Sequence, residues 1–365
     1  MQAQKEVIEH REITIKGSTY ERGLEYGRGC KEAILSSIES FKTLFADRKQ
    51  ITWDRACRIA KDYIPGIKAF NANYLEEMQG IADGAEVMLE EIVALNSRSE
   101  IMFANQIDTA DRFEEEGQGC TAFSLTDSAA KDGHTIAGQT WDFSCMLRKS
   151  MVTVHVCQSE RPSFVMVCEA GMIGGIGMND AGIGLTLNAL RATEPCTGIP
   201  LRVRMRAILD SRFLSEAYVN GAHRPLSVAN LIITHKDGAA IGLEMDAKQV
   251  DVLIPEDGVL VHTNHFIGYR MKLLHDNAGT GSTYIRLQRM TQLIKARGAI
   301  GVDDLMDILK DHVGYPTSIC SHPNPYDPPI KHNATNFAVI MDLSEGCMYL
   351  ALGNPCESEF KRILV

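Results

Sequence analysis

The chain has 365 residues, of which 45% are hydrophobic and 23% are charged, as is usual for a globular protein. Its formal net charge is −10, and this surplus of carboxylates argues against nucleic-acid binding, which requires clustered Lys and Arg. No apolar run reaches the roughly 18 residues of a membrane span, and the N-terminus lacks the apolar stretch of a signal peptide. We therefore expect neither nucleic acid nor a membrane as a partner.

The ten cysteines are irregularly spaced and include no CxxC pair, so the zinc-ribbon and thioredoxin patterns lack support. Ten free thiols are typical of a reducing cytosol, and we expect a cytoplasmic location, with most cysteines in the core. His262, His265 and His322 have no matching carboxylate pattern, so no metal and no cofactor is expected.

The first hundred residues are predicted to be mainly helical. A short strand over residues 12–15 precedes Ser18 and Glu21, which have the spacing of a helix capping box. Apolar residues then recur every three or four positions from Tyr26 to Phe45, which predicts one helix with a buried stripe. Further helices are predicted over residues 53–63, 69–82 and 89–102, with Pro65 and Gly66 separating the first two. Residues 105–119 form a polar, acidic segment that we interpret as a solvated loop.

The rest of the chain is predicted to be rich in strands, interrupted by helices. Strands are predicted over residues 121–125, 135–138, 151–156, 164–167, 184–187, 239–245, 250–254, 259–263, 336–342 and 346–352. Helices are predicted over residues 201–214, 226–234, 284–296 and 302–309. Runs of strands and helices without strict alternation favour stacked sheets with helices outside.

The glycine-rich segment GMIGGIGMNDAGIG superficially suggests a phosphate-binding loop. It is followed by Asn179 to Gly182, a hairpin-turn signal, where a phosphate loop would open a helix. A dinucleotide-binding fold is therefore disfavoured.

The most informative residue is Cys120, which follows the acidic, glycine-ended loop and directly precedes a predicted strand. The segment Gly138 to Asp142, GQTWD, comes soon after it, and an Asn-His pair and the segment STYIRLQRM lie far downstream. With GSTYERGLEYG, GMNDAGIGLTLNAL, PTSICSHP and YLALGNPCESEF in this order, the sequence resembles the acyl-coenzyme A:6-aminopenicillanic acid acyltransferase family of N-terminal-nucleophile hydrolases.

The resemblance implies an α+β fold, a four-layer αββα sandwich. The chain would cut itself between Gly119 and Cys120, leaving a helix-rich chain of residues 1–119 bound to a catalytic chain of residues 120–365. It implies that Asp142 orients the new α-amine of Cys120 and that Arg286 pairs with that carboxylate. Asn264 would donate to the oxyanion.

Two further residues qualify the resemblance. Asn188 matches a position that lines the oxyanion or substrate side in related hydrolases. In the penicillin acyltransferase a threonine two residues after the nucleophile assists processing, whereas this chain has Ala122; Thr121 or Ser124 would have to substitute.

The chemistry of such a site follows from acid–base properties. An α-amine with an ordinary pKa near ~8 can exchange a proton with a thiol of pKa about 8.5, so a terminal cysteine needs no catalytic histidine. An internal Cys120 has only an amide nitrogen, so cleavage would create the base. Gly119 has no side chain, which lets the backbone adopt the strained geometry of attack.

The expected substrate is a small linear amide, with an acyl-coenzyme A or an amine acceptor as a possible second substrate. Hydrolase and transferase share the same residues, and the sequence leaves them open. Two alternatives also remain: a non-cleaving scaffold of the same fold, and a papain-like enzyme in which a remote histidine serves as base.

Overall fold

The computed structural model describes residues 11–103, 119–126, 128–191, 198–224, 227–275 and 281–365. The predicted loop over residues 105–119, apart from Gly119, and the cysteine at position 196 lie outside these ranges. None of the described helices has the length and apolar character that a bilayer crossing requires.

The strands, in chain order, are β1 (Arg11–Ile15), β2 (Thr121–Leu125), β3 (Ile136–Ser144), β4 (Met151–Val156), β5 (Phe164–Glu169), β6 (Ile176–Asn179), β7 (Ile183–Ala189), β8 (Ala229–His235), β9 (Ala239–Met245), β10 (Val250–Leu253), β11 (Val259–His262), β12 (Asn333–Asp342), β13 (Cys347–Leu352) and β14 (Lys361–Leu364). They form an eight-stranded sheet of order β1-β4-β5-β6-β7-β8-β9-β10 and a six-stranded sheet of order β11-β2-β3-β12-β13-β14. All neighbours are antiparallel except β1 and β4, which are parallel.

The helices are α1 (Thr19–Gly29), α2 (Lys31–Lys49), α3 (Trp53–Phe70), α4 (Ala72–Ala85), α5 (Leu89–Asn96), α6 (Arg98–Phe103), α7 (Leu201–Leu209), α8 (Leu214–Gly221), α9 (Tyr269–Leu274), α10 (Gly281–Arg297) and α11 (Val302–Ile308). The N-terminal helices with α7 and α8 pack on the eight-stranded sheet, and α10 and α11 pack on the six-stranded sheet. The sheets contact each other through β2 and β3 on one side and β7 and β8 on the other. This four-layer αββα arrangement confirms the expected fold class.

The helix-rich N-terminal segment is part of this core. Strand β1 pairs with β4 in register, Ile13 opposite Val154. The side-chain amide of Asn96 donates to the carbonyl of Gly171 at 2.9 Å, and its oxygen accepts the N–H of Ile173 at 2.9 Å. Buried residues of the N-terminal helices and of both sheets form one continuous hydrophobic cluster.

Several predicted helix boundaries were wrong. The helix predicted over residues 89–102 breaks at Ser97 between α5 and α6, and the one predicted over residues 201–214 ends at Leu209. The single helix expected from Tyr26 to Phe45 breaks at Cys30, whose φ of −118° and ψ of 19° leave the helical region. Conversely, α3 continues through Pro65. Pro65 is exposed, so water can hydrate the carbonyl that its missing N–H leaves unpaired, while buried Tyr63 and Ile67 anchor both sides.

The helix predicted over residues 226–234 was also wrong, because this segment forms β8. The run ANLIITH is buried along nearly its whole length between β7 and β9. A strand covered on both faces has a continuous apolar sequence, which periodicity alone does not distinguish from a buried helix. The hairpin predicted at Asn179 to Gly182 is present as the antiparallel β6–β7 pair, with Gly182 at φ +93°.

Candidate active site

Cys120 directly precedes β2, an inner strand of the six-stranded sheet. The pairing of Thr121 with Thr140 places it beside the Trp141 and Asp142 segment of β3. Its side chain is 2% exposed, and its thiol lies 3.9 Å from the backbone carbonyl of Asp142. The two residues that the sequence separates by a loop therefore meet in the sheet.

Gly119 lies against the Asp142 carboxyl group. A Cβ atom at residue 119 would be 3.0 Å from Asp142 Oδ2 and 3.7 Å from Arg286 Cζ. This is a closer approach to a carboxylate oxygen than most side chains make, so a glycine fits here with least disturbance. The peptide bond predicted to be cleaved thus lies beside Asp142 and Arg286, two of the predicted site residues.

The Asp142 carboxyl group is buried and only half satisfied. Oδ1 accepts a hydrogen bond from the Thr335 hydroxyl at 2.8 Å, and Oδ2 has no hydrogen-bond partner among the described residues. Burial raises the pKa of Asp142 to about 7, against the opposing effects of the Arg286 charge and of the Thr335 and Thr140 hydroxyls; the Thr140 hydroxyl, however, makes no hydrogen bond to Oδ2 of normal geometry. A buried carboxylate oxygen without a donor is costly, and this one is directed toward Gly119.

Arg286, on α10, is buried and holds the start of β2. Its Nη1 donates to the Cys120 carbonyl at 2.8 Å and to the Thr121 hydroxyl at 3.0 Å, and its Nη2 donates to Asn264 Oδ1 at 3.1 Å. The ion pair expected with Asp142 is not among the contacts of the described residues; Arg286 acts on that carboxyl through its charge alone. The guanidinium fork instead binds the backbone of the predicted nucleophile.

The two asparagines singled out in the sequence both lie at the site around Cys120. Asn188, on β7, donates through Nδ2 to the Cys120 carbonyl at 3.1 Å, and it accepts from Asn230 at 3.2 Å. Asn264, just after β11, donates through Nδ2 to the Ala189 carbonyl at 3.0 Å. In the continuous chain both amides are therefore engaged with backbone carbonyls.

The thiol is protonated in this arrangement. Burial, and then the Asp142 charge, raise the pKa of Cys120 to about 12. Neutral thiols are poor nucleophiles, so the site needs a base close to the sulfur.

The histidines do not supply that base. His262 is held between Glu244 at 2.7 Å and the Thr263 carbonyl at 2.7 Å. His265 is hydrogen-bonded to Thr283 at 2.9 Å, and burial lowers its pKa to about 4. Among the described residues no histidine contacts the Cys120 thiol, which disfavours the papain-like alternative.

The two possible substitutes for the missing threonine differ in their surroundings. The Thr121 hydroxyl meets Arg286 at the start of β2. The Ser124 hydroxyl accepts from Thr234 on the facing sheet at 2.9 Å. Thr121 is therefore the hydroxyl that belongs to the site.

A small cavity of about 20 Å³ lies next to the sulfur, enough for roughly one water molecule. Its lining is mainly apolar and comprises Arg98, Ser99, Met102, Cys120, Trp141, Asp142, Phe143, Leu187, Ala189, Leu201 and Val228. The cation in this lining is Arg98, which contacts Glu169 at 3.4 Å and stacks over the Phe143 ring at 5.2 Å. The larger groove of the molecule, about 970 Å³, contains none of the predicted site residues.

Sequence reasoning missed Thr335 and Arg98. Thr335 joins the site because β12 pairs with β3 and places it opposite Asp142, a register that becomes visible only once the strands are paired. Arg98 lies in the short helix α6 and belongs to no recognisable motif. The position of Arg98 beside three aromatic rings arises from tertiary packing, and no local sequence pattern predicts it.

Comparison with known proteins identifies the family of the chain. The sequence profile of the acyl-coenzyme A:6-aminopenicillanic acid acyl-transferase family matches residues 128–357. The 40 kDa form of acyl-coenzyme A:6-aminopenicillanic-acid-acyltransferase from Emericella nidulans is 28% identical over 349 residues, covering 94% of this chain and 92% of that relative.

Two kinds of solved structure are similar to part of this chain at low sequence identity. A mutant conjugated bile acid hydrolase from Clostridium perfringens has 14% identity and a TM-score of 0.43, covering 67% of this chain and 97% of its own. Penicillin V acylase from Agrobacterium tumefaciens has 12% identity and a TM-score of 0.44, covering 64% and 83% respectively.

Proposed function

This chain belongs to the acyl-coenzyme A:6-aminopenicillanic acid acyl-transferase family, and we propose that it is an amide hydrolase or acyltransferase that activates itself by cleaving the Gly119–Cys120 bond. The observation that carries the proposal is the buried Oδ2 of Asp142, which has no partner among the described residues and faces Gly119. An ammonium group created at Cys120 would supply the missing donor.

Self-cleavage would begin with attack of the Cys120 sulfur on the Gly119 carbonyl carbon. Collapse of the tetrahedral adduct breaks the peptide C–N bond and leaves residue 119 as a thioester on the sulfur, with a free α-amine on Cys120. Water then hydrolyses the thioester, so residue 119 ends in a carboxylate and the thiol is regenerated. Asp142, with its pKa near 7, is suited to shuttle the protons at neutral pH.

The mature site would use the same sulfur on an external amide. The α-amine of Cys120 takes the thiol proton and returns it to the leaving amine, and Asp142 orients that amine. Arg286 and Asn188 hold the Cys120 carbonyl, which fixes the nucleophile in place. We assign Asn264 to the oxyanion hole. Its side-chain amide donates to the Ala189 carbonyl in the uncleaved chain and would donate instead to the oxyanion of the tetrahedral intermediate.

The substrate would be a small molecule with an apolar acyl group, since Trp141, Phe143 and Met102 line the cavity beside the sulfur; this cavity is water-sized in the uncleaved chain and would have to widen to admit that group. The acyl-Cys120 thioester then passes to water or to an amine. An acyl-coenzyme A donor is compatible with the same thioester, and the mechanism uses no cofactor. Residues 1–119 and 120–365 would remain together as a heterodimer of cleavage fragments.

Intact mass measurement of the purified chain tests the proposal. We expect two fragments that meet between Gly119 and Cys120, a whole chain for Cys120→Ala, and release of amine from apolar amides only by the cleaved protein. Cys157→Ser is the matched control, because Cys157 is an exposed free thiol and its loss leaves both results unchanged. An uncleaved wild type without thiol-dependent turnover would favour the scaffold alternative.

A further inference from the structure

Four potential metal ligands converge at a site away from the Cys120 sulfur. They are His312, Cys320, His322 and Cys356, and their ligand atoms all lie within 4.8 Å of one another. We propose that these residues bind one Zn²⁺ ion in a closed structural site.

The distances match a tetrahedron of zinc ligands. His322 Nε2 lies 3.0 Å from His312 Nε2, 3.6 Å from Cys320 Sγ and 3.4 Å from Cys356 Sγ, and the two sulfurs are 3.4 Å apart. Tetrahedral zinc with Zn–S of about 2.3 Å and Zn–N of about 2.0–2.1 Å places ligand atoms roughly 3.3–3.8 Å apart. The four distances differ from these values by at most about 0.4 Å, and the two distances from His312 Nε2 to the sulfurs are within 4.8 Å.

The donor chemistry selects zinc over harder cations. Two thiolates and two neutral imidazoles carry a total charge of −2, which one divalent ion neutralises. Soft sulfur and imidazole ligands favour zinc, whereas Mg²⁺ and Ca²⁺ prefer oxygen. Four protein ligands leave no open position, which is typical of structural rather than catalytic zinc.

The ligands come from two separated parts of the chain. His312, Cys320 and His322 lie on the turn that follows α11, and Cys356 lies just beyond β13. The spacing fits no common zinc motif, so sequence inspection grouped His322 with His262 and His265 and dismissed a metal. In the fold those two histidines bind Glu244 and Thr283, and only His322 joins the cluster.

The turn that carries the ligands also supports Asp142. The N–H of Ser321, between two of the ligands, donates to the Thr335 hydroxyl at 2.9 Å, and that hydroxyl donates to Asp142 Oδ1 at 2.8 Å. Cys320 is further fixed by its N–H, which donates to the Asp311 carbonyl at 3.0 Å. Zinc would therefore hold the polypeptide segment behind the carboxyl group in position.

Metal analysis of the full-length chain, purified with reductant and without chelator, tests the site. We expect about one zinc per chain for the wild type and less than about one-tenth for Cys320→Ser, Cys356→Ser and His312→Ala. Cys157→Ser, at an exposed cysteine outside the cluster, should keep the full content. Circular dichroism confirms that each variant is folded.

Cobalt substitution gives an independent readout that does not depend on activity. The metal-free wild type titrated with Co²⁺ should develop the intense visible bands of tetrahedral thiolate coordination, and folded Cys356→Ser should not. Absence of zinc together with absence of these bands overturns the proposal. A disulfide between Cys320 and Cys356, found by peptide mapping after thiols are trapped at lysis, overturns it as well.

Discussion

At the residue scale, Arg286 differs from the other arginines of its helix by being wholly buried. It connects three groups of the site through one planar fork: the Cys120 carbonyl, the Thr121 hydroxyl and Asn264 Oδ1. A lysine ammonium is a point charge without this geometry. The position of the nucleophile therefore depends on the shape of the guanidinium as well as on its charge.

Arg286→Lys should slow self-cleavage by roughly 10- to 100-fold, equivalent to about 1.4–2.7 kcal/mol in the barrier, because the lysine cannot span all three acceptors. The measurement is the fraction of cleaved chain against time after a short induction. Arg289→Lys is the matched control, since Arg289 lies on the same helix and pairs with partly exposed Asp311. Wild-type cleavage kinetics in Arg286→Lys would contradict this role.

Asp142 makes the stability of the uncleaved chain depend on pH. Its folded pKa of about 7 lies above its ordinary value of 3.8. Below pH 3.8 the group is neutral in both folded and unfolded states. As the pH rises from 3.8 to about 7, the unfolded chain ionises while the folded chain stays protonated, so the free energy of unfolding falls, and it levels off above pH 7. The difference between the two pKa values corresponds to a decrease on the order of 4 kcal/mol in the free energy of unfolding once Asp142 is fully ionised in the folded state.

Asp142→Asn should remove this loss, because asparagine carries no charge at any of these pH values. In the non-cleaving Cys120→Ala background, we expect the added substitution to raise the free energy of unfolding at about pH 8 by a few kcal/mol relative to its effect near pH 4. Urea titrations at both pH values measure this difference. An effect that is the same at both pH values would show that Asp142 is not a buried, destabilised carboxylate.

At the scale of elements, α1 and α4 cross with their backbones in contact. A Cβ on Gly27 would lie 2.3 Å from the Ile81 carbonyl oxygen, and one on Gly84 would lie 2.5 Å from the Leu24 carbonyl oxygen. These atoms are backbone and cannot rotate away. The two helices therefore need glycine where they cross. The glycines occur in the segments GLEYG of α1 and GIADG of α4.

Gly27→Ala should destabilise the chain by about 1–3 kcal/mol or more, since α1 and α4 must move apart to admit a methyl group. Thermal or urea unfolding in the Cys120→Ala background measures the change. Gly66→Ala is the control, because Gly66 lies in α3 with nothing within 4 Å of a new Cβ. It should stabilise by roughly 0.5–1 kcal/mol through helix propensity, and equal effects of the two substitutions would refute the close crossing.

The same elements show how far the sequence predicts the fold. Amphipathic helices such as α10 and short strands such as β9 follow from the local sequence pattern, and the capping box at Ser18 and Glu21 is present. Strand β8 was predicted as a helix because its burial between β7 and β9 is a tertiary property. The short edge strand β14 had no local signal.

The candidate site divides in the same way. Motifs in the sequence predicted five site residues that lie close together in the structure: Cys120, Asp142, Asn188, Asn264 and Arg286. Thr335 and the cluster around Cys320 and His322 depend on strand register and on chain segments that meet only after folding. The pairing expected between Arg286 and Asp142 is not among the contacts of the described residues, in which Arg286 Nη1 donates to the Cys120 carbonyl.

At the scale of the whole molecule, the proposed cut would sever a chain whose two parts share one core. Buried Glu77 in α4 binds Arg206 in α7 at 2.6 Å, and Arg98 binds Glu169 at 3.4 Å, so buried ion pairs join the regions on either side of residue 119. With the pairing of β1 and β4, these contacts leave little reason for the fragments to separate.

We therefore expect residues 1–119 and 120–365 to co-elute in size-exclusion chromatography, at the volume of uncleaved Cys120→Ala, and to separate only in denaturant. Glu77→Ala should weaken the association, because it leaves the Arg206 charge buried with one partner fewer, a change that typically costs about 3–5 kcal/mol. Lys61→Ala, which removes an exposed pair with Glu90, should have almost no effect. Fragments that elute separately without denaturant would show that the shared core does not hold the two chains together after cleavage.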